Sequence, residues 1–145
     1  MNDVLAIRML DPELAPPGYA HPGDAGLDLR SRIDVTLEPF ERTLIPTGVA
    51  VAIPNGCAGF VQPRSGLAIK SGLSLVNTPG LIDAGYRGEI QIIAINLDPI
   101  TPIAIERGDK VAQLVIQKVV HADVRLVDTL DSTERGADGF GSTGL

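Results

Sequence analysis

Tryptophan is absent from this 145-residue chain, and the other aromatic residues make up only 3% of it. An interior without large rings is filled by aliphatic side chains. Hydrophobic residues stand at 44%, so Val, Ile, Leu and Ala do the filling, which favours strands where β-branched types dominate. No window holds a sustained 3.6-residue period, and no apolar run approaches the length that spans a bilayer. A single cysteine, Cys57, excludes an internal disulfide, and with His21 and His121 far apart there is no Cys/His cluster of the zinc type. Positive charge is scarce: 12 Lys and Arg stand against 18 Asp and Glu, for a net charge of −6. That argues against nucleic acid or an anionic membrane as the main partner, but a small anionic ligand needs only local cations. The opening residues Met1-Asn2-Asp3-Val4 lack a basic region followed by an apolar run. The expectation is therefore a soluble, cytoplasmic, all-β protein.

What is plentiful is glycine (16) and proline (11). They cut the chain at short intervals, as many short strands require. The length suits one domain with a real core. Strands are expected over residues 4–10, 25–29, 35–37, 42–46, 48–53, 58–62, 73–77, 89–96, 103–106, 110–120 and 122–127. Pro46-Thr47-Gly48, Pro54-Asn55-Gly56 and Arg107-Gly108-Asp109 read as turns. The one helix candidate lies at 63–72, with Ser65 as its N-cap and Gly72 as its stop.

Polar groups interrupt this apolar pattern at a few places. Residues 77–90 read as strand, tight turn and strand, a hairpin in which Gly85 and Gly88 supply left-handed backbone. The bend carries Asp83 and Tyr86, three residues apart, which is more than a turn needs. Arg64 precedes the helix start, where free N–H groups and a guanidinium fork suit a phosphate. The same residues also fit a plain capped turn with a surface arginine. Asp28 stands mid-strand and, taken alone, reads as solvent-facing. Gln113 lies amid Val111, Ala112, Leu114 and Val115, so its amide needs a partner, either a neighbouring strand or a ligand. The segment 131–145 has the composition of a disordered terminus. Yet Arg135 is its only cation and Phe140 stands alone among glycines, which suits an arm that closes over a ligand.

Together these stretches resemble the trimeric dUTPase family, which carries five short motifs in a fixed order. They match Ala25-Gly26-Leu27-Asp28-Leu29, then Pro63-Arg64-Ser65-Gly66-Leu67-Ala68, then residues 80–90, then residues 107–114, and last residues 135–144. Asp138 stands where the tail motif usually has glycine. The resemblance implies a β-barrel-like jelly roll with one short helix over residues 1–130, a flexible arm at 131–145, and a homotrimer that shares its active sites. It implies hydrolysis of dUTP to dUMP and pyrophosphate, with Mg²⁺ on the triphosphate. By the same resemblance Asp83 is the general base. Gly80, Leu81 and Ile82 with Asn77 read uracil, Tyr86 stacks under the deoxyribose, and Gln91 lines the site. Arg64, Ser65, Gly66 and Gln113 hold phosphates, and Asp28 reaches the metal through water. Arg135, Phe140, Gly141 and Ser142 close over the ligand from the tail. A dCTP deaminase on the same fold needs an acid/base glutamate where this chain has Asp83 and Tyr86. A non-catalytic, nucleotide-switched binding module is the reading from another class, and the intact Asp83 and tail weigh against it.

Overall fold

Alternating apolar residues make most of the expected strands, but pairing partners far along the chain decide where each one runs. The computed structural model describes residues 4–144; the outermost residues of the two expected units, 1–3 and 145, lie outside these. The described elements are β1 (Ala6–Met9), β2 (Gly26–Arg30), β3 (Val35–Leu37), β4 (Arg42–Ala52), β5 (Cys57–Gln62), α1 (Ser65–Ser71), β6 (Leu73–Leu75), β7 (Gly80–Ile82), β8 (Glu89–Asn96), β9 (Ile103–Ile105) and β10 (Lys110–Lys118). One four-stranded antiparallel sheet runs β1-β4-β8-β6 and a second runs β2-β10-β5-β7, while β3 pairs with β9.

Strand β8 shows how the sequence builds this. Ile90, Ile92, Ala94 and Asn96 are buried, and the residues between them face the other way. Leu27, Leu29, Val61, Ala112 and Leu114 of the second sheet join them in one aliphatic core, which Leu37, Ile103 and Ile105 extend. Each such side chain contributes about 1.5–3 kcal/mol by leaving water. Gly59 keeps that core thin, because a Cβ there would sit 2.8 Å from Ile53 Cδ1 and 3.1 Å from Leu114 Cδ1. The one amide in this interior is satisfied: Asn96 Nδ2 donates to Leu37 O (3.1 Å) and Thr101 O (2.9 Å), and its Oδ1 accepts from Asp98 N at 2.8 Å.

Five local expectations need correction. Residues 42–46 and 48–53 are one strand, β4; Pro46-Thr47-Gly48 is not a turn but an irregularity in its ladder to β8, with Gly48 at φ +70°. The helix begins at Ser65 with Arg64 as its N-cap and no side-chain cap bond, so Ser65 is not the cap; Gly72 does stop it, at φ +74°. Neither Gly85 nor Gly88 is among the glycines with positive φ. Residues 77–90 are not a hairpin, since β7 pairs with β5 and β8 pairs with β4 and β6, in the other sheet. Residues 122–127 form no strand; their alternation of Val124 and Leu126 finds no partner among the described residues, and both are exposed.

Candidate active site

Because β7 and β8 belong to different sheets, the residues between them cross from one to the other. That crossing floors a cavity of about 310 Å³ lined by Asn77, Gly80, Leu81, Ile82, Asp83, Tyr86 and Gln91, with Leu44 and Leu75. Strand β7 is a sheet edge, so its free side presents backbone N–H and C=O groups. Gly80 lets the Asn77 amide come close: a Cβ there would lie 3.3 Å from Asn77 Nδ2. Gly88 does the same for Tyr86, since a Cβ would collide with the phenol ring. Tyr86 Oη donates to Glu89 O at 3.0 Å, which holds the ring across that glycine.

The crossing is pinned at several points. Tyr86 N donates to Asp83 O at 3.1 Å, and Arg87 Nη1 donates to Ala84 O (2.6 Å) and Tyr86 O (2.9 Å). The Glu89 carboxylate accepts from Gly48 N (2.8 Å) and Arg32 Nη1 (3.2 Å). Arg32 also reaches Asp11, which Arg107 holds with both terminal nitrogens. That Arg107 hydrogen bond, with the charge of Arg107 and then Arg32, pulls the Asp11 carboxyl down to about 2. Residues 107–109 are thus a structural turn, in which Asp109 Oδ2 accepts from Glu106 N at 2.9 Å.

A second groove, of about 310 Å³, is built on β2 and β10, with Arg64 at the start of α1. It is lined by Asp24, Gly26, Asp28, Arg64, Lys110 and Gln113. Gln113 pairs with Asp28 on one side and Gln62 on the other. Its side chain lies over Gly26, where a Cβ would meet Oε1 at 2.5 Å. Asp28 does not face solvent as the isolated strand reading had it. Its side chain is 13% exposed, 3.3 Å from Arg64 Nε and 2.7 Å from Lys110 Nζ. Ser65 and Gly66 form the exposed first turn of α1 beside Arg64; the first intrahelical bond is Ala68 N to Arg64 O, so the N–H groups before it are free of helical partners.

The two cavities share no lining residue, and the tail joins neither. Arg135 Nε donates to Asp138 O at 3.1 Å, within its own segment, and Phe140, Gly141 and Ser142 are exposed among short local turns. The sequence reading gave no role to Lys110, Glu89 or Leu44. Only the consecutive apolar pair Val111-Ala112 hints at the first of these. The dUTPase family model matches residues 13–144. The chain belongs to the dUTPase family. It is 58% identical over 142 residues to the deoxyuridine 5'-triphosphate nucleotidohydrolase of Corynebacterium diphtheriae, covering 98% of this chain and 93% of that one. The enzyme of the same name from Rhodococcus erythropolis is 57% identical over 140 residues, 97% of this chain and 85% of the other.

Solved dUTPases share the fold as well. The Staphylococcus bacteriophage 80alpha dUTPase with dUpNHpp superposes with a TM-score of 0.90 at 33% identity, over 99% of this chain and 100% of that one. A phage phi11 dUTPase variant, described as showing the coordination of a structural Mg(II) ion, gives 0.82 at 32% identity, over 90% and 100%. This chain is a dUTPase-family hydrolase of nucleotide metabolism with that family's all-β, jelly-roll-type fold. Among the described residues no helix is long and apolar enough to cross a membrane.

Proposed function

We propose that this chain hydrolyses dUTP to dUMP and pyrophosphate in the cytoplasm, removing dUTP and supplying dUMP for dTMP synthesis. Asp83 orients and deprotonates the water that attacks the α-phosphorus in line. The observation that carries this reading is the single cavity in which Asp83, Tyr86, Asn77 and an exposed sheet edge converge. Backbone groups of Gly80 to Ile82 and the Asn77 amide, which both donates and accepts, suit the uracil edge. The Tyr86 ring, held at its hydroxyl by the Glu89 carbonyl, suits stacking under a deoxyribose and would block a ribose 2′-hydroxyl. Gln91 closes the cavity wall. A carboxylate is a weak base. Positioning and charge stabilisation must therefore supply most of the acceleration.

Arg64, Ser65, Gly66 and Gln113 grip the phosphates. Among the described residues no group of three or more His, Cys, Asp or Glu is placed to hold a metal. That fits a Mg²⁺ carried on the triphosphate, with Asp28 reaching it through water; the ion neutralises phosphate charge when bound. Separate base and phosphate cavities on one chain, together with the exposed Val120, Val124, Leu126 and Leu130, support a homotrimer in which neighbouring chains complete each site. Residues 131–145 then act as an arm, with Arg135, Gly141 and Ser142 on phosphates and Phe140 over uracil. The decisive assay is pyrophosphate release from dUTP, dTTP, dCTP and UTP with Mg²⁺. Release from dUTP alone is expected. Equal release from dTTP or UTP contradicts the pocket, and ammonia from dCTP marks deaminase chemistry.

A further inference from the structure

The ladder between β2 and β10 gives Lys110 a place that its sequence context hides. Gln113 pairs with Asp28 and Ala112 with Leu29, and then the register skips so that Lys110, rather than Val111, stands opposite Arg30. A strand that takes in one extra residue re-aims those beyond it. Here Val111 and Ala112 are buried in succession, and Lys110 emerges into the groove of Asp28 and Gln113. Without the skip, simple alternation would turn Lys110 toward the aliphatic core.

Its contacts there are specific. Lys110 Nζ lies 2.7 Å from Asp28 Oδ2, Arg64 Nε lies 3.3 Å from Asp28 Oδ1, and Arg64 Nη1 donates to Lys110 O at 3.2 Å. One carboxylate is shared by two cations. One negative charge thus faces two positive ones, which leaves a net positive charge on the trio, and both cationic side chains are about one-third exposed at 32% and 33%. Lys110 and Arg64 also line a larger neighbouring cavity of about 670 Å³, so the pair stands at the junction of the two. A lysine has three donors on a compact ammonium, and it can keep one bond to Asp28 while giving others to a phosphate.

We propose that Lys110 is a phosphate-binding residue of this site, delivered by the bulge at Val111 and positioned by Asp28. The assignment rests on the reading of this groove as the phosphate side of the site. Inorganic tripolyphosphate is the probe, because it presents the phosphate chain without base or sugar. Calorimetry on the full chain compares the unaltered protein with Lys110→Met, Lys110→Arg and Lys70→Met, the last in a residue that lines only the larger cavity. Lys110→Met is expected to lose about tenfold or more in tripolyphosphate affinity, the size of a charge-assisted hydrogen bond. Lys110→Arg retains most of it, Lys70→Met is unchanged, and deoxyuridine binding is unaffected throughout. Should Lys110→Met melt early, Lys110→Gln takes its place, since it keeps a donor toward Asp28 but not the charge. Unchanged affinity in the charge-removing variant overturns the assignment, as does an equal loss in Lys70→Met or no tripolyphosphate binding by the unaltered protein. The probe needs no turnover. A chain that binds tripolyphosphate through Lys110 yet releases no pyrophosphate from dUTP would sink the proposed reaction and leave Lys110 in place.

Discussion

Asp83 and Asp28 are the same side chain in opposite settings. Asp83 stands on an exposed crossing between sheets and enters none of the ion pairs among the described residues. Asp28 is nearly covered and holds a cation on each oxygen. A carboxylate that must take a proton has to keep its lone pairs free, whereas one that holds other side chains in place is useful because it is occupied. The difference follows from the backbone. Asp83 sits where the chain leaves a sheet edge, while Asp28 sits inside a ladder whose neighbours bring Arg64 and Lys110 to it.

The largest effect expected from this contrast is at Asp83. Asp83→Asn should cost about 10²–10⁴-fold in kcat, the usual yield of a positioned base, with dUTP binding retained in a direct titration. Near-normal turnover would move the base elsewhere. Asp28→Asn should act differently, through binding. With Lys110 and Arg64 no longer held, KM for dUTP should rise about tenfold while kcat changes less, given the size of a charge-assisted hydrogen bond. A fall in KM would show that Asp28 works against the phosphates rather than for them.

The smallest effect concerns a third aspartate, remote from the chemistry. Asp11 titrates at about 2 in the folded chain, below the ~3.9 of an unfolded aspartate. Its contribution to stability is therefore fully present above about pH 4 and is lost as pH falls toward 2. Melting temperature should drop through that window, and Asp11→Asn should flatten the drop. Asp98, lowered by backbone hydrogen bonds first from Thr101 and then from Ile100, adds background of the same sign. Curves that superimpose would remove the Arg107 pairing as a source of acid sensitivity.

Much of this was legible in the chain. Period-two alternation located most strands, such as 89–96, and Gly72 marked the helix end because a left-handed residue suits that stop. What stayed hidden depends on partners distant in sequence. Residues 77–90 read as a hairpin because the local pattern shows two strands and a bend, but not which strands lie beside them. Residues 122–127 alternate well enough for a strand and have no neighbour to pair with among the described residues. Lys110 needed the β2–β10 register before it could be assigned, since a bulge is a property of two strands and not of one. Among site residues, the family motifs singled out those now gathered around the β7–β8 crossing. They said nothing of how Gly80 and Gly88 make room for Asn77 and Tyr86.

The glycine in the middle of β5 reaches further than packing. The two walls of the proposed base cavity, β7 and β8, are carried by different sheets, so its width depends on how those sheets pack against each other. Gly59 keeps the aliphatic layer between them thin from a position that lines none of the site cavities. Under the proposed reading of this cavity, nucleobase selection is in that sense gauged from the interior. A methyl group added to the core could widen the slot, and so relax the distinction between uracil and thymine, without altering any residue that touches the base.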